Sequence, residues 1–536
     1  MIEDLKLIKP GEVRVRLAPS PTGALHIGLA RTALFNYLFA KKYQGSFILR
    51  IEDTDVERSK QNFEKDIKES LIFLGIEWHE GPARQQHLGT SLVTASQEEI
   101  GDYGPYRQSK RGRIYQKYIK KLLDEQKAYF CFCSKEELEA QRQYLMSIGE
   151  PPGYLGKCRN LSPEAVEKNL KQGKSFIIRF KTPAKKITFF DLIRGKIEFE
   201  TKLLGDFSIA KDLTSPLYNL ACVIDDFEMK ISHVIRGEDH IPNTPKQILL
   251  QEALGFSRPK YAHLPLILGK DRTKLSKRHG ATAVSEYKKQ GYLAEAMINF
   301  IALLGWNPGT NKEIFSMASL IQEFSLEKVQ KSAAVFNPQK LDWLNGFYIR
   351  AKSQDKLTEL CLPYLVKSGL ITPYFKTEQY PPGYGARLVS QKFKIKETEE
   401  EILFDDLKKI VSLYQERLKK LSEISELTDF FFKEKLDYPK KLLRWRTMED
   451  KEIKKILDKV KKLLNKIKSN DWTKEKIEAV LLKEAEKIGA GDRGKALWPL
   501  RVALTGKEAS AGPFEIAEIL GKQKTLERLK EAQKKL

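Results

Sequence analysis

The sequence predicts a multidomain chain: an α/β domain of Rossmann type that carries an α+β insertion, followed by an all-α C-terminal region. Three observations predict it. A strand–turn–helix–strand succession fills residues 14–51, a second begins near 216, and from about 350 Lys/Glu-rich amphipathic stretches dominate. Successive βαβ units build a doubly wound parallel sheet, so a long segment of other character between two of them reads as an insertion.

The elements follow in order. RVRLA (14–18) is short and partly alternating, as in a strand, and PSPTG (19–23) is a turn. From Gly28 to about Tyr43 the apolar residues Leu29, Ala33, Leu34, Tyr37 and Leu38 recur at helical spacing, with Gly45 as a stop. FILRI (47–51) is the second strand. In the second half SHVIRG (232–237) reads as a strand, HIPNTPKQILLQEALG (240–255) as a helix closed by Gly255, and HLPLIL (263–268) as another buried strand. Between the halves, 107–215 holds helices and short strands such as AYFCF, SFIIRF and KIEFE. DLKKIVSLYQERLKKLSEI (406–424) and IKKILDKVKKLLNKIK (453–468) read as amphipathic helices with solvated charged faces. The segment 83–102 is longer than the link expected there and reads as a tolerated surface loop.

Length and charge bound the function. The 536 residues exceed the roughly 100–200 of one domain. No apolar run reaches the about 18 residues of a membrane span, and the N-terminus lacks the basic-then-apolar order of a secretory signal. A cytoplasmic protein without membrane attachment is expected. Five unevenly spread cysteines make a poor disulfide framework; Cys222 and Cys361 read as buried thiols. The net charge of +23 fits a polyanion partner or a lysine-rich solvated surface, so motifs must decide.

Two motifs do. Pro19-Ser-Pro-Thr-Gly-Ala-Leu-His26-Ile-Gly28 lies between a strand and a helix start, where free backbone amides and the helix dipole favour phosphate. His26 can donate to phosphate oxygens there. Lys274-Leu-Ser276-Lys277-Arg278, preceded by Arg272, puts two lysines and two arginines in seven loop residues, a clamp for a triphosphate and its leaving pyrophosphate.

With these residues the chain resembles the class I aminoacyl-tRNA synthetases. His26-Ile-Gly28-Leu29 is similar to their HIGH motif, with Leu for the last His, and 274–278 to KMSKS. Arg16-Leu-Ala18-Pro-Ser20-Pro-Thr-Gly, RTALFNYLFA, Arg50-Ile-Glu52-Asp-Thr-Asp55, GPYRQSKR (104–111), Val234-Ile-Arg236-Gly-Glu-Asp239-His, LVSQKF (388–393) and WPLRVALTG (498–506) resemble bacterial glutamyl-tRNA synthetases. The resemblance implies ATP-dependent attachment of glutamate to tRNA through a glutamyl-adenylate, with transfer to the terminal 2′-hydroxyl. It implies Arg16, Ala18, Ser20, Glu52, Tyr218, Cys222 and Arg236 as glutamate contacts. His26, Gly28, Asp239, Lys274, Ser276 and Lys277 would form the ATP site, with His26 and Lys277 catalytic. The types agree: arginine forks suit the substrate's carboxylates and an acid suits its ammonium. Glu52, Asp53 and Asp55 also read as a capped or solvated turn, and Asp239 as the N-cap region of the next helix.

Implied domains are a catalytic part, 1–350, with an acceptor-binding insertion at about 107–215 and a stem-contact region at about 256–350, then a helical anticodon-binding region, 351–536. Implied partners are ATP with Mg²⁺, glutamate and tRNA(Glu), with tRNA(Gln) left open; a monomer is expected. Some relatives bind zinc at the position of Cys131, Cys133 and Cys158, but Asn160 stands where they have His, which weighs against zinc here. Three rivals stand beside this reading. A glutaminyl-tRNA synthetase would have a β-barrel-rich C-terminal part. A truncated paralogue that modifies a tRNA base would lack that part. A non-catalytic tRNA binder would lose the set His26, Glu52 and Lys277.

Overall fold

The computed structural model describes residues 9–55, 57–83, 98–150, 153–276, 278, 280–373, 392–488 and 491–536. Lys277, His279, residues 388–391 and most of the 83–102 segment lie outside that set. The chain forms two compact units, Met1–Lys288 with Ala294–Lys340, and Lys289–Leu293 with Leu341–Leu536.

The first unit opens with β1 (Arg14–Leu17), α1 (Ile27–Lys42) and β2 (Ser46–Leu49), then α2 (Gln61–Phe73). β1 and β2 pair in parallel from Arg14↔Ser46 to Leu17↔Leu49. His26 caps α1, its Nδ1 accepting from Leu29 N at 3.2 Å. This helix ends at Tyr43; Gly45 instead allows a close approach, since a Cβ there would meet the Val13 carbonyl at 2.1 Å.

The second half contributes α6 (Tyr218–Glu228), β8 (His233–Gly237), α7 (Thr244–Leu254) and β9 (Lys260–Leu264). β8 and β9 pair in parallel from His233↔Lys260. The halves meet where Ser232 N donates to Arg14 O at 2.9 Å and Asn36 of α1 donates to Ile235 O at 3.0 Å. The α-helix expected from 240 starts at Thr244 after a 3-10 turn, Glu238–Asn243, and ends on Gly255, whose φ of +73° suits a residue without Cβ. HLPLIL is not one strand. Pro265 has no N–H to continue the ladder, and Leu266 N turns to the Glu238 carboxylate at 2.7 Å. A separate β10 (Ile267–Leu268) then pairs with β11 (Ala334–Val335).

Between the halves run α3 (Gly112–Asp124), β3 (Ala128–Cys131), α4 (Lys135–Ser147), α5 (Pro163–Lys171), β4 (Ile177–Phe180), β5 (Lys186–Asp191), β6 (Gly195–Glu200) and β7 (Ser208–Ala210). β3, β4 and β7 form an antiparallel sheet. β5 instead joins the edge of β9 through Tyr261↔Asp191, giving the order β8-β9-β5-β6. The segment has a small cluster of its own at Tyr129, Cys131 and Cys158, and it also shares the host's core. Its Tyr115, Ile119, Phe180 and Phe189 share one core with Ile48, Ile224, Leu249 and Tyr261 of the host.

The second unit is helical: α9 (Pro338–Arg350), α10 (Gln354–Lys367), α11 (Phe404–Ser412), α12 (Glu423–Thr428), α13 (Asp450–Asn465), α14 (Lys474–Ile488), α15 (Gly494–Thr505) and α16 (Pro513–Lys535), the last broken at Gly521. It also holds an antiparallel sheet of β12 (Ile371–Pro373), β13 (Lys392–Ile395) and β14 (Glu401–Leu403), which the sequence did not announce. The stretch 406–424 is not one helix; turns separate α11 from α12. Among the described residues no helix is long and apolar enough to cross a membrane.

Candidate active site

Arg16, Arg50, Glu52 and Arg236 lie just inside or just beyond β1, β2 and β8, and none is more than 5 % exposed. A charge is taken out of water only when something answers it, so each partner matters. Arg16 spends Nε and Nη2 on Asp226 at 3.0 and 3.2 Å. Arg50 gives Nη1 to the same carboxylate at 2.7 Å and Nη2 to Glu52 Oε1 at 2.9 Å. Although burial alone would raise it, the charges of Arg16 and Arg50 hold the Asp226 carboxyl down to about 2. Burial raises Glu52, with Arg50 opposing. Neighbouring Asp225 takes Arg111 Nε at 2.6 Å, Gln108 at 2.8 Å and the Tyr115 hydroxyl at 2.9 Å.

Arg236 is different. Its Nε donates to His263 Nε2 at 3.1 Å and its Nη2 to Thr244 Oγ1 at 2.9 Å. Its Nη1 is buried without a hydrogen-bond partner, and among the described residues it makes no ion pair. Arg236 and Arg16 both bear electrostatically on Tyr218 and His240. The Tyr218 hydroxyl lies 3.0 Å from His240 Nδ1. Burial and Arg236 push His240 down to about 4, keeping it neutral near pH 7. Cys222 is buried between Arg16, Arg50 and Asp226, and burial pushes its thiol up to about 12. Ala18 is half-buried and Ser20 exposed on the turn after β1; Glu52 N donates back to Pro19 O at 2.9 Å.

The phosphate-type motifs also come together. Ile27 N donates to Thr282 O and Val284 N to Leu25 O, so the loop that carries 274–278 returns against the start of α1. Gly28 sits close beside His26: a Cβ there would lie 3.1 Å from two ring atoms, a tight fit. Crowding of the ring and the Lys274 charge push the His26 pKa below its ordinary value. Lys274 Nζ lies 3.3 Å from Asp239 Oδ2, an exposed pair, and Arg278 pairs with Asp271. Exposed pairs hold weakly and exchange readily for a phosphate. Asp239 does not cap α7, whose N-cap is Asn243. Ser276 stands in the same loop.

At the far end of β3, Cys131, Cys133 and Cys158 place their sulfurs within 4.8 Å of one another. The Tyr154 hydroxyl lies 3.9 Å from Cys133 Sγ and accepts from Cys158 N at 2.6 Å, while Asn160 is exposed. Tyr154 thus brings an oxygen to the cysteine trio.

Sequence reasoning missed Asp225, Asp226, Arg111, Asp191 and His263. Two adjacent acids in the otherwise apolar run of α6 were the available signal for the first pair.

Residues 12–343 match the family described as tRNA synthetases class I (E and Q), catalytic domain, and 356–533 match the anticodon binding domain. A glutamate–tRNA ligase of Caldicellulosiruptor saccharolyticus is 48% identical over 525 residues, 97% of this chain and 98% of that protein. One of Carboxydothermus hydrogenoformans is 47% identical over 510 residues, 95% and 97%. The crystal structure of a glutamate tRNA ligase from Elizabethkingia meningosepticum, in complex with its amino acid, superposes with a TM-score of 0.80 at 33% identity and covers 98% of this chain and 99% of its own. With buried arginines on parallel strands, a helix start set against a basic loop, and these matches along nearly its whole length, this chain belongs to the glutamate–tRNA ligases among the class I aminoacyl-tRNA synthetases.

Proposed function

We propose that glutamate is held by Arg236, Arg16 and Glu52 while ATP lies along the start of α1. The observation that carries this is Arg236: a buried guanidinium with Nη1 unanswered and no ion pair among the described residues. A carboxylate completes it, and an arginine fork binds one bidentately. Glu52 keeps Oε2 for the substrate ammonium, since Oε1 serves Arg50. Tyr218, Cys222, Ala18 and Ser20 line the rest.

The substrate's α-carboxylate oxygen attacks the α-phosphorus of ATP. The bond to the β-phosphate oxygen breaks, and pyrophosphate leaves. His26 and Lys274 meet the charge that develops, with Lys277 assigned to the same task from its motif. Gly28 lets the phosphates approach, and Asp239 with Ser276 orients the loop side. The tRNA 2′-hydroxyl then attacks the glutamyl carbonyl and AMP leaves. Holding both reactants in line supplies much of the acceleration. Mg²⁺ adds positive charge at the phosphates when bound; among the described residues no acidic or imidazole trio gathers there, so the phosphates themselves would hold it. Cys131, Cys133 and Cys158 with Tyr154 would hold a structural zinc, and no reaction step uses it. The second unit reads the anticodon end of tRNA(Glu).

The test is pyrophosphate exchange and charging with glutamate and glutamine, on purified tRNA(Glu) and tRNA(Gln). Glutamate-dependent exchange and charging of tRNA(Glu) are expected. Exchange driven equally by glutamine, or unchanged in Arg236→Ala, overturns the assignment.

A further inference from the structure

Asp191 sits at the end of β5, on the inserted segment, and is wholly buried. Its Oδ1 accepts three backbone N–H groups, from Ile193 at 3.0 Å, Arg194 at 2.8 Å and His263 at 3.2 Å. Its Oδ2 lies 2.6 Å from His263 Nδ1. Across the buried ring, His263 Nε2 lies 3.1 Å from Arg236 Nε and 3.3 Å from Thr244 Oγ1. Arg236 Nε always carries hydrogen, so Nε2 must accept. The ring proton is then on Nδ1, donated to Asp191. Only one tautomer satisfies the whole chain.

We propose that Asp191 is a positioning residue for glutamate recognition: it fixes His263 as the Nδ1–H tautomer, and His263 thereby holds the Arg236 guanidinium in the plane that leaves Nη1 for a substrate carboxylate. This rests on Arg236 being the carboxylate ligand. The charge states agree. Burial keeps His263 below its ordinary value, with Asp191 opposing and Arg236 and Arg194 assisting. Burial would raise Asp191, but His263 and the backbone donors hold it below the usual carboxylate range. Arg194, which also faces His263, is itself paired with Glu238. The pocket's selectivity thus reaches 72 residues back along the chain from His263 to a strand that the inserted segment adds to the sheet.

Asp191→Asn tests it. The new amide oxygen can keep the three backbone donors, which turns its NH₂ toward Nδ1. The ring must then carry its proton on Nε2, facing Arg236 Nε–H donor to donor. The KM for glutamate should rise on the order of 10-fold or more, the effect of one misplaced buried hydrogen bond, while the KM for ATP and kcat at saturating glutamate stay within about 2-fold. In a His263→Gln background a side-chain carbonyl accepts from Arg236 whatever stands at 191, so adding Asp191→Asn there should leave the glutamate KM unchanged. Equal losses in both backgrounds, or parallel rises for ATP and glutamate, overturn the proposal in favour of a purely structural role. If Asp191→Asn does not fold, His263→Gln against His263→Leu makes the same comparison: only the second should raise the glutamate KM. Arg236→Ala separates the layers. No effect there refutes the site itself; an effect there with none in Asp191→Asn refutes only the relay.

Discussion

Arg50 Nη1 and Asp226 Oδ1 lie 2.7 Å apart, both side chains buried, and this pair fastens the end of β2 to α6. Arg50→Ala strands Glu52 and leaves Asp226 to Arg16 alone. A loss of about 3–5 kcal/mol in stability is expected, the range for a broken buried pair. Urea denaturation measures it. The same pair sets acid behaviour: Asp226 is depressed to about 2 when folded, against about 3.9 unfolded. Its contribution is therefore complete above about pH 4 and is lost as pH falls toward 2. Arg50→Ala, which leaves Arg16 in place, should make that acid limb shallower, and an unchanged limb contradicts the assignment.

Arg236→Ala should behave in the opposite way. No carboxylate depends on it among the described residues, so the fold should lose little. Glutamate use should weaken by about 2 kcal/mol or more, on the order of 30-fold in kcat/KM, with the KM for ATP little changed. Steady-state exchange kinetics at varied glutamate and varied ATP separate the two.

Lys277→Ala should cut adenylate formation at least about 10²-fold, roughly 3 kcal/mol, by removing a cation from developing phosphate charge. Thermal melting should be unaltered. Pyrophosphate exchange at the normal rate would remove Lys277 from the mechanism.

The three clustered thiols and Tyr154 should bind Co²⁺ as a zinc surrogate, giving sulfur-to-metal charge-transfer absorption that Cys133→Ser weakens. Chelation should loosen the loop after β3 without changing kcat for pyrophosphate exchange. Absence of that absorption in reduced protein means that the thiols pack and do not ligate.

A chain ending at Lys340 should keep the pocket but lose efficient charging, by on the order of 10²-fold or more, with weaker salt dependence. The cut belongs there because Leu341, Leu344 and Ile349 of α9 are buried and fall in the second unit. Undiminished charging by the folded fragment would detach tRNA recognition from the helical unit.

Local pattern made much of this readable. The apolar spacing of Leu29 to Leu38 and the turn before it placed α1, β1 and β2. In 406–424 the same periodicity marked burial correctly, since Leu407, Ile410, Val411, Tyr414, Leu418 and Leu421 are all buried. It did not reveal the turns between α11 and α12, where the Gln415 side-chain amide donates to the carbonyls of Ile349, Arg350 and Lys352. The candidate pocket arginines could be named from the sequence because a dicarboxylate substrate calls for them. Their supports, Asp226 for Arg16 and His263 with Asp191 for Arg236, are set by pairings 210, 27 and 72 residues apart, which no periodicity encodes.

The contact of Ser232 with Arg14 has a consequence for synthesis. These residues are 218 apart, and the buried Val15 and Leu17 of β1 lie beside that junction. At about 5–20 residues per second, a ribosome needs roughly 10–40 s to deliver the partner strand. Throughout that interval the first βαβ unit presents an unfinished apolar sheet edge to solvent. Slowing elongation across 18–231, or removing chaperones that bind nascent chains, should therefore lower soluble yield far more than the same treatment applied after residue 264.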